Sequence, residues 1–397
     1  MLARADPHEG EVPIRSCFLR FHAAAALALA LPACDAPPAG DFVEAFPCRS
    51  HADCDDGNPC TGEATCRLGQ CSDTPPPSCD APGDTCVVRG GEATCEALCP
   101  LPMGPALDLL RDDETLVFPA AEVELAVMPA AGALPDAVPW EEADQLPLAG
   151  HIGPTRVLAR SPDDACAPAD VEDWFDHTYR VVTAYPSVDD PGASPPVEPH
   201  DPRIVGWGHR VVAWAPGDDA DPEWQDVAEA LGPAEGDGMS VLPLGRGGHV
   251  VVALDPPAAD GPGPDLAVFE NGFSDGFLEL ARVEVSSDGQ TFVPFAGVSR
   301  TREPVGAFEP LDATLVHGFA GVWRAGLGTP FDLHLLRQHE LVRAGQVDLQ
   351  RIRYVRVVDL VGDGTDLDAM GRPIFDPYPT VGSAGFDLDA IAVLEAP

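Results

Sequence analysis

Nine of the twelve cysteines lie close together, between Cys48 and Cys99. So short a segment cannot bury enough apolar surface to fold on a core alone, so cross-links are needed. In an exported chain such density predicts disulfides rather than zinc ligation. Since nine is odd, we expect one of them to pair with the distant Cys166, although the spacing leaves the connectivity open. The expected disulfide cysteines are Cys48, Cys54, Cys60, Cys66, Cys71, Cys79, Cys86, Cys95, Cys99 and Cys166.

Export is predicted by the apolar run "AAAALALALPAC" at residues 23–34, which follows Arg15 and Arg20. The run is too short to cross a bilayer but suits the core of a signal peptide. Its end, Leu31-Pro32-Ala33-Cys34, resembles the lipobox of bacterial lipoproteins, in which the cysteine is lipidated. We therefore expect a signal peptide over 1–33 and lipidation at Cys34. A plain secretory signal with cleavage nearby is the alternative.

Lipidation at Cys34 would anchor the chain to a membrane of the cell envelope, at the outer membrane or the cell surface. A tether at 34–47 would follow the anchor, and the cysteine-rich module would occupy 48–99. The formal net charge of -42 argues against nucleic acid and anionic lipid as binding partners and favours divalent cations.

The composition and the patterning beyond the module predict a mainly β structure. The chain has 44 Pro and 39 Gly, which disfavours helices. Short apolar or alternating runs separated by Gly, Pro and Asp predict an antiparallel sandwich over 176–397. Residues 100–175 are expected to form a connector that contributes strands, and "LHLLRQHELVRAG" at 333 is the expected helix. The runs are "RVVAW", "GGHVVVALD", "DLAVFE", "LARVEVS", "QTFVPF", "RYVRVVDL" and "LDAIAVLE".

Two sets of motifs carry a resemblance. "CDDGNPCT" is similar to small cystine-rich repeats of secreted proteins from myxobacteria and their relatives. The second set runs in order over 205–395 and resembles a family of bacterial cell-surface proteins and lipoproteins. "VEVSSDGQTFVPF" with the later "YVRVV" also resembles the discoidin, or galactose-binding-like, jelly roll. The second set is "LGRGGHVVVAL", "DGPGPDLAVFENGF", "VEVSSDGQTFVPF", "GTPFDLHLL", "YVRVVDLVGD", "GRPIFDPYP" and "GFDLDAIAVL".

The resemblance implies a C-terminal antiparallel jelly-roll β-sandwich, commonly calcium-stabilised, that binds glycans or other surface ligands. The fold class expected for the whole chain is therefore mainly β, with this sandwich and a small disulfide-rich N-terminal module.

Acidic residues in turn-rich segments predict a structural calcium ion, because calcium binds several oxygens in loops that can bend. On a strand, Asp387 and Asp389 would share one face, with Phe386 and Leu388 on the other. Two carboxylates on one face repel each other unless a cation or an Arg lies between them. Asx turns, and ion pairs with Arg282, Arg353 or Arg356, are the alternative. The candidate ligands are Asp260, Asp265, Glu270, Asn271, Asp363, Asp366, Asp368, Asp387 and Asp389.

The N-terminal module offers a weaker hint of calcium, since Asp53, Asp55, Asp56 and Asn58 resemble half of a calcium loop. A polar turn held by cystines is the other interpretation.

Catalysis is not expected. Glu270 and Glu279 could form the carboxylate pair of a glycosidase. However, they lie in one short segment, and no H-E-x-x-H or G-x-S-x-G motif is present.

Trp323, with glycines on both sides, is the best candidate for an exposed aromatic that contacts a ligand.

We expect an exported surface lipoprotein that acts as a binding or adhesion module for a glycan or a surface protein. A structural envelope protein without a specific ligand is the alternative, and a secreted hydrolase is a third possibility.

Overall fold

The computed structural model describes most of the chain from residue 50 to residue 395. The expected signal segment, Cys34 and the tether lie outside the described residues. Among the described residues, no helix is long and apolar enough to cross a membrane. The described ranges are 50–51, 54–55, 57–62, 64–67, 70–73, 79, 84–97, 103–118, 123–131, 133–135, 137–161, 174–192, 194–237 and 239–395.

The cysteine-rich module forms two hairpins held by disulfides. Cys60 is bonded to Cys86, and Cys79 to Cys95. Cys54 and Cys66 are also disulfide-bonded. The prediction of disulfides in this segment is therefore confirmed for these six. Cys48, Cys99, Cys166 and the side chain of Cys71 lie outside the described part, so the pairing with Cys166 stays a prediction. The strands are β1 (Ala64–Arg67), β2 (Gln70–Asp73), β3 (Asp84–Arg89) and β4 (Glu92–Ala97).

The module contacts the C-terminal part of the chain through Asn58 of the "CDDGNPCT" motif. The Asn58 side chain is buried, and its Nδ2 donates to Asp288 Oδ2 over 3.0 Å and to the Gln346 carbonyl over 3.2 Å. Gln346 in turn donates to the Cys86 carbonyl over 2.6 Å, and Val88 N donates to the Ala344 carbonyl over 2.7 Å. Asn58 is therefore the polar centre of this contact.

Replacing Asn58 with Ala should weaken this contact. The substitution leaves buried acceptors with fewer donors, so we expect the free energy of unfolding to fall by about 2 kcal/mol. Urea denaturation of the full chain measures the change, and limited proteolysis should show faster cleavage within 48–99. Asp55 is an exposed residue that accepts from the nearby Gly57 N, so Asp55→Ala is the control. Equal effects of the two substitutions would contradict the assignment of Asn58.

The described residues between 103 and 190 form a second β region, whose core also takes in Val298. Its five-stranded sheet has the order β5-β11-β10-β7-β8, antiparallel except for the parallel pair β5–β11. The predicted connector thus contributes strands to a separate sheet, and the boundary expected at 175/176 falls inside β11. The strands are β5 (Leu109–Arg111), β6 (Thr115–Val117), β7 (Glu124–Pro129), β8 (Glu141–Glu142), β9 (Gln145–Pro147), β10 (Gly153–Arg160) and β11 (Phe175–Val182).

His177 lies in the core of this region and is held in its neutral form. Its Nε2 is 2.6 Å from the Leu107 carbonyl, and its ring centroid is 4.5 Å from that of Tyr179. Burial is the main cause that lowers the pKa of His177 to about 4. The unfolded chain therefore takes up a proton below pH 6.5 that the folded chain takes up only near pH 4, so stability falls as the pH falls through that window.

We expect the wild-type protein to lose about 3 kcal/mol between pH 7 and pH 4 through His177. His177→Gln removes this titration while keeping an amide that can donate to the Leu107 carbonyl. The gap in free energy of unfolding between wild type and variant should therefore shrink as the pH falls. Urea denaturation at a series of pH values measures the gap, and a gap that stays constant would contradict the assignment.

The C-terminal region contains the largest sheet, of nine strands. Eight follow the order β17-β16-β22-β14-β12-β26-β15-β21, with β13 paired to β26. Its described strand pairs are all antiparallel. The strands of this region are β12 (Ile204–Ala215), β13 (Leu242–Pro243), β14 (His249–Ala258), β15 (Leu266–Glu270), β16 (Ala281–Ser286), β17 (Val293–Pro294), β18 (Val298–Ser299), β19 (Val305–Gly306), β20 (Val316–His317), β21 (Thr329–Phe331), β22 (Ile352–Asp359), β23 (Asp363–Leu367), β24 (Pro373–Phe375), β25 (Pro377–Tyr378) and β26 (Asp387–Leu394).

The sheet is curled, so that its two halves enclose one apolar core. Val250 and Val252 of β14 and Val357 of β22 lie in the same buried cluster as Val268 of β15 and Ile391 of β26. Alternating apolar residues explain why both halves turn one face inward. The predicted fold class, mainly β with a disulfide-rich N-terminal module, is confirmed.

The predicted helix at 333 is wrong as a continuous element. The segment forms a 3₁₀ turn capped by Asp332 and a separate single turn of α-helix capped by His339. Each cap accepts a hydrogen bond from a backbone N–H, which ends one turn and begins the next. The helices are α1 (Glu340–Arg343) and the 3₁₀ turns Pro222–Trp224, Val227–Ala230, Ala313–Leu315, Leu333–Leu336 and Leu349–Arg351.

Candidate functional site

Buried carboxylates gather where β15 ends beside the start of β26. β15 carries Glu270 at its last position, and β26 begins with Asp387. The two strands pair, with a register shift that sets Glu270 opposite Leu388. Glu279 comes from the segment before β16. Glu270 is 1% exposed, Glu279 is 4% exposed and Asp387 is 0% exposed. Together these three residues form what we call the carboxylate cluster.

The carboxylate cluster has few hydrogen-bond donors of good geometry. Glu270 Oε1, Glu279 Oε1 and both carboxylate oxygens of Asp387 are buried without a well-aligned partner, although side-chain hydrogen bonds from Ser383 and Asn271 lower the pKa of Asp387 and one from Thr380 lowers that of Glu279. Gly272 N donates to the other oxygen of Glu270 over 2.6 Å. A buried acceptor that lacks a donor costs about 1–3 kcal/mol, and more when it is charged.

Burial dominates the electrostatics of the cluster. It raises the pKa of Glu270 and Glu279 well above the usual value, and each of these shifts is increased by the Asp387 charge. Burial also raises the pKa of Asp387 to about 8, against the lowering effect of the Ser383 and Asn271 side chains. The neighbouring charges that act most on these three carboxyls are all negative.

On β26 the predicted alternation is interrupted at Asp389, because the register with β15 shifts between Leu388, which packs in the main core, and Ala390, which packs in a separate cluster. Phe386 and Leu388 lie in the main core, whereas Asp387 interacts with the charges of Glu270 and Glu279. Asp389 is held differently, since its two oxygens accept from Glu235 N over 3.0 Å and from Gly236 N over 2.9 Å.

Two further buried acids resemble Asp389 in serving as backbone acceptors. The Asp359 oxygens accept from Phe386 N and from Gly247 N, each over 2.7 Å. Asp376 Oδ2 accepts from Leu280 N over 2.8 Å. These bonds join segments that are distant in sequence, so we call Asp359, Asp376 and Asp389 the clamp carboxylates.

Replacing Asp359 with Asn should destabilise the protein. The amide group would point a donor at one of two backbone N–H groups, so we expect a loss of about 2–3 kcal/mol. Asp363 is exposed and accepts from Thr365 N, so Asp363→Asn is a matched control with an expected change below about 0.5 kcal/mol. Chemical denaturation of both variants measures the difference, and similar stabilities would show that Asp359 is not a clamp.

A second acidic group is formed by Asp260, Asp265 and Asp332, whose carboxylate oxygens lie within 4.8 Å of one another. Its buried member, Asp265, already accepts from Gly261 N over 2.9 Å and from Leu333 N over 2.8 Å. Burial raises the pKa of Asp265 to about 7 and that of Asp332 to about 6. Asp332 was not among the ligands expected from the sequence, and only its position in the fold brings it to the other two.

The remaining predicted ligands are engaged by groups of the chain itself. Asp363 Oδ1 accepts from Thr365, and Asp366 accepts from Val361 N and lies 3.6 Å from Arg282. Asp368 binds Ser299 N and pairs with Arg372 over 2.8 Å. These contacts correspond to the turns and ion pairs that were the alternative to calcium. Asp53 and Asp56 lie outside the described residues.

An aromatic surface lies next to the carboxylate cluster. Phe273 is 66% exposed and Phe308 is 80% exposed. Their rings flank half-buried Phe277, with centroid distances of 5.6 Å and 6.2 Å and interplanar angles of 29° and 17°. Phe273, Phe277 and Phe308 are called the phenylalanine face below. These residues were not among the candidate site residues expected from the sequence, although "NGFSDGF" places two Phe among turn residues.

The expected exposure of Trp323 is wrong. Trp323 is 3% exposed and packs in a cluster with Leu278, Phe319 and Val322. Glycines on both sides do mark a loop here, but the loop folds inward onto apolar side chains. All six tryptophans are among the described residues and none is exposed, so Trp323 lacks the open ring face that its predicted role requires.

A cleft of about 740 Å³ lies where the three regions of the chain meet. Its lining includes Thr85 of the module, Met103, and Glu284 and Asp368 of the C-terminal region. Glu284 is paired with Arg356, and Asp368 with Arg372. Both carboxylates are thus held in ion pairs.

Among the described residues, the suggested glycosidase pair lines neither this cleft nor the clefts beside Trp323 and beside Tyr185. Glu270 and Glu279 are instead almost fully buried. The expectation that the chain is not an enzyme stays a prediction.

Comparison with known proteins does not identify the chain. A scan against models of protein families finds no match, and no curated protein matches the sequence.

Proposed function

We propose that this chain is an exported surface lipoprotein whose C-terminal β region binds an extracellular glycan through the phenylalanine face. The observation that carries the proposal is the exposure of Phe273 and Phe308, whose rings both stack on that of Phe277. Large apolar side chains left in water mark binding surfaces when they cluster. The motifs over 205–395 and the expected lipid anchor at Cys34 support a location at the cell surface.

The groups around the phenylalanine face suit a sugar. The CH faces of a sugar ring can pack on aromatic rings, while polar groups at the rim bond to the hydroxyls. Arg324 and Asp275 form an ion pair of 2.9 Å, with side chains 47% and 58% exposed. Ala325 N donates to the Gly272 carbonyl over 3.0 Å, which places this pair next to Phe273. The net charge of -42 favours neutral sugars over acidic ones.

Removing the two exposed rings should abolish glycan binding without unfolding the protein. The test is an array of neutral and acidic oligosaccharides, probed with the full chain and with a Phe273→Ala/Phe308→Ala variant. We expect at least a tenfold loss of affinity for any bound neutral sugar, since each stacked ring contributes about 1 kcal/mol. The melting temperature should change little, because the rings are exposed.

An Ile152→Ala/Met239→Ala variant is the matched control, because these side chains are 64% and 61% exposed elsewhere on the surface. Loss of binding in both variants would contradict a specific role of the phenylalanine face. Absence of binding to every sugar would favour a protein ligand or the structural envelope role.

A further inference from the structure

We propose that the cleft of about 740 Å³ between the three regions of the chain binds a small anionic amphiphile of the fatty-acid class. The apolar chain of this ligand lies in the cleft, and its carboxylate pairs with Arg282. The cleft, called the junction cleft below, shares no lining residue with the phenylalanine face. The inference is therefore independent of the proposed glycan binding.

The junction cleft has the size and the lining of a site for a small apolar ligand. Such sites are mostly apolar clefts of roughly 300–1,000 Å³ that lie at domain boundaries and carry a few polar groups. Phe295 and Phe319 belong to the lining and are almost completely buried by the fold. Leu367 belongs to the same lining but is 57% exposed. An acyl chain in the cleft covers this side chain, and the apolar area that leaves water stabilises the complex.

The acids of the lining are already paired or screened. Glu284 is paired with Arg356. Asp368 is paired with Arg372 over 2.8 Å, and neither of these arginines lines the cleft. The third acid, Glu340, is exposed, so water and salt screen its charge. Among the described lining residues, no buried carboxylate is thus left for a cation, and an anion meets little repulsion.

Arg282 offers donors to an anionic group in the cleft. It lies on β16, and its side chain is 31% exposed. Its Nη2 is 3.6 Å from Asp366 Oδ1, which is beyond hydrogen-bond distance. The other oxygen of Asp366 accepts from Val361 N over 3.1 Å, so Asp366 is held by its own loop. A ligand carboxylate can therefore accept two parallel hydrogen bonds from the guanidinium, the geometry in which arginine binds carboxylates best.

His339 adds a second donor to the lining. Its Nδ1 accepts from Leu341 N over 3.3 Å, so the neutral ring carries its proton on Nε2. Burial is the main cause that lowers the pKa of His339, which keeps the ring neutral at neutral pH. Arg343, also in the lining, adds positive charge. The polar part of the cleft therefore suits a carboxylate.

The cleft beside Trp323 is a weaker candidate. Its volume is about 280 Å³. His317 of its lining is bonded to Asp108 over 2.6 Å, and Arg203 is paired with Asp201 over 2.8 Å. These positive groups are engaged by acids of the chain, whereas the guanidinium in the junction cleft retains donors for a ligand.

The test is the binding of dodecanoate to the full chain, with dodecanol as its uncharged counterpart. Isothermal titration calorimetry below the micellar concentration measures the affinity and the number of molecules bound per chain. We expect one dodecanoate per chain. It should bind at least tenfold more tightly than dodecanol, because only the carboxylate forms charge-assisted hydrogen bonds with Arg282.

Two variants separate the charge from the cleft. Arg282→Gln removes the guanidinium and should bind dodecanoate at least tenfold more weakly, while its affinity for dodecanol should match that of the wild type. Ala369→Trp enlarges an exposed side chain of the lining and should weaken the binding of both ligands, because the new ring obstructs the cleft. Circular dichroism checks that the variants are folded. If Arg282→Gln fails to fold, the two ligands compared on the wild type and on Ala369→Trp decide the question.

Arg324→Gln is the matched control, since Arg324 is also paired with a single carboxylate but lies beside the phenylalanine face. It should bind dodecanoate as the wild type does, and an equal loss in Arg282→Gln and Arg324→Gln would overturn the inference in favour of general attraction of an anion. Loss of binding in Phe273→Ala/Phe308→Ala, with Ala369→Trp unaffected, would overturn it in favour of the phenylalanine face. A wild-type protein that binds neither ligand, or binds both equally, would overturn it as well.

Discussion

A carboxylate that leaves water loses its hydration, and its free energy rises by several kcal/mol unless donors or a cation replace that water. This constraint is severe in a chain with 65 acidic and 23 basic residues, because arginines cannot neutralise every acid. In the C-terminal region, backbone N–H groups donate hydrogen bonds to several of the buried carboxylates. Asp359 connects the end of β22 to Gly247 and Phe386, Asp376 holds Leu280, and Asp389 holds the turn at Glu235 and Gly236. The acids that must be compensated therefore also fix the loops at this edge of the sheet.

The same constraint separates the carboxylate cluster from its neighbours. Glu270, Glu279 and Asp387 are as deeply buried as the clamp carboxylates, and the Asp387 charge adds to the burial that raises the pKa of Glu270 and Glu279. Like charges at close range keep a site in its neutral, protonated form or draw a cation into it.

Much of the β structure could be predicted from local patterns. Apolar and polar residues alternate along a strand wherever one of its faces packs on a core, so the alternation indicates which residues are buried. The runs around β14, β22 and β26 are of this kind, and so is the opposite placement of Asp387 and Leu388. The predicted helix failed because the apolar spacing of Leu333, Leu336 and Leu341 also fits two short turns with separate caps. Trp323 was misplaced because glycines indicate a loop but do not indicate whether the loop faces water.

Contacts between distant segments could not be predicted from the sequence. Nothing local connects Glu279 to Glu270 and Asp387, or Asp332 to Asp260. The contact between "CDDGNPCT" and "SSDGQ" could not be predicted either, because Asn58 donates to the Asp288 carboxylate, which is 230 residues away in the sequence. Asp288 also accepts from Gln290 N and Thr291 N over 2.8 and 2.7 Å, which closes its own turn. The Asp288 side chain thus closes the turn after β16 and also binds Asn58 of the N-terminal module. The position of the module therefore depends on the conformation of that turn.

The phenylalanine face and the carboxylate cluster are linked by the four residues from Glu270 to Phe273. Gly272 N is bonded to the Glu270 carboxylate, and the Gly272 carbonyl accepts from Ala325 N. Leu311 N donates to the Gly276 carbonyl over 2.7 Å, which brings the loop of Phe308 against that of Phe277. Rings placed by backbone bonds of this kind lose little conformational entropy when a ligand packs on them. Gly272 therefore joins the Glu270 carboxylate to the backbone that positions Phe273.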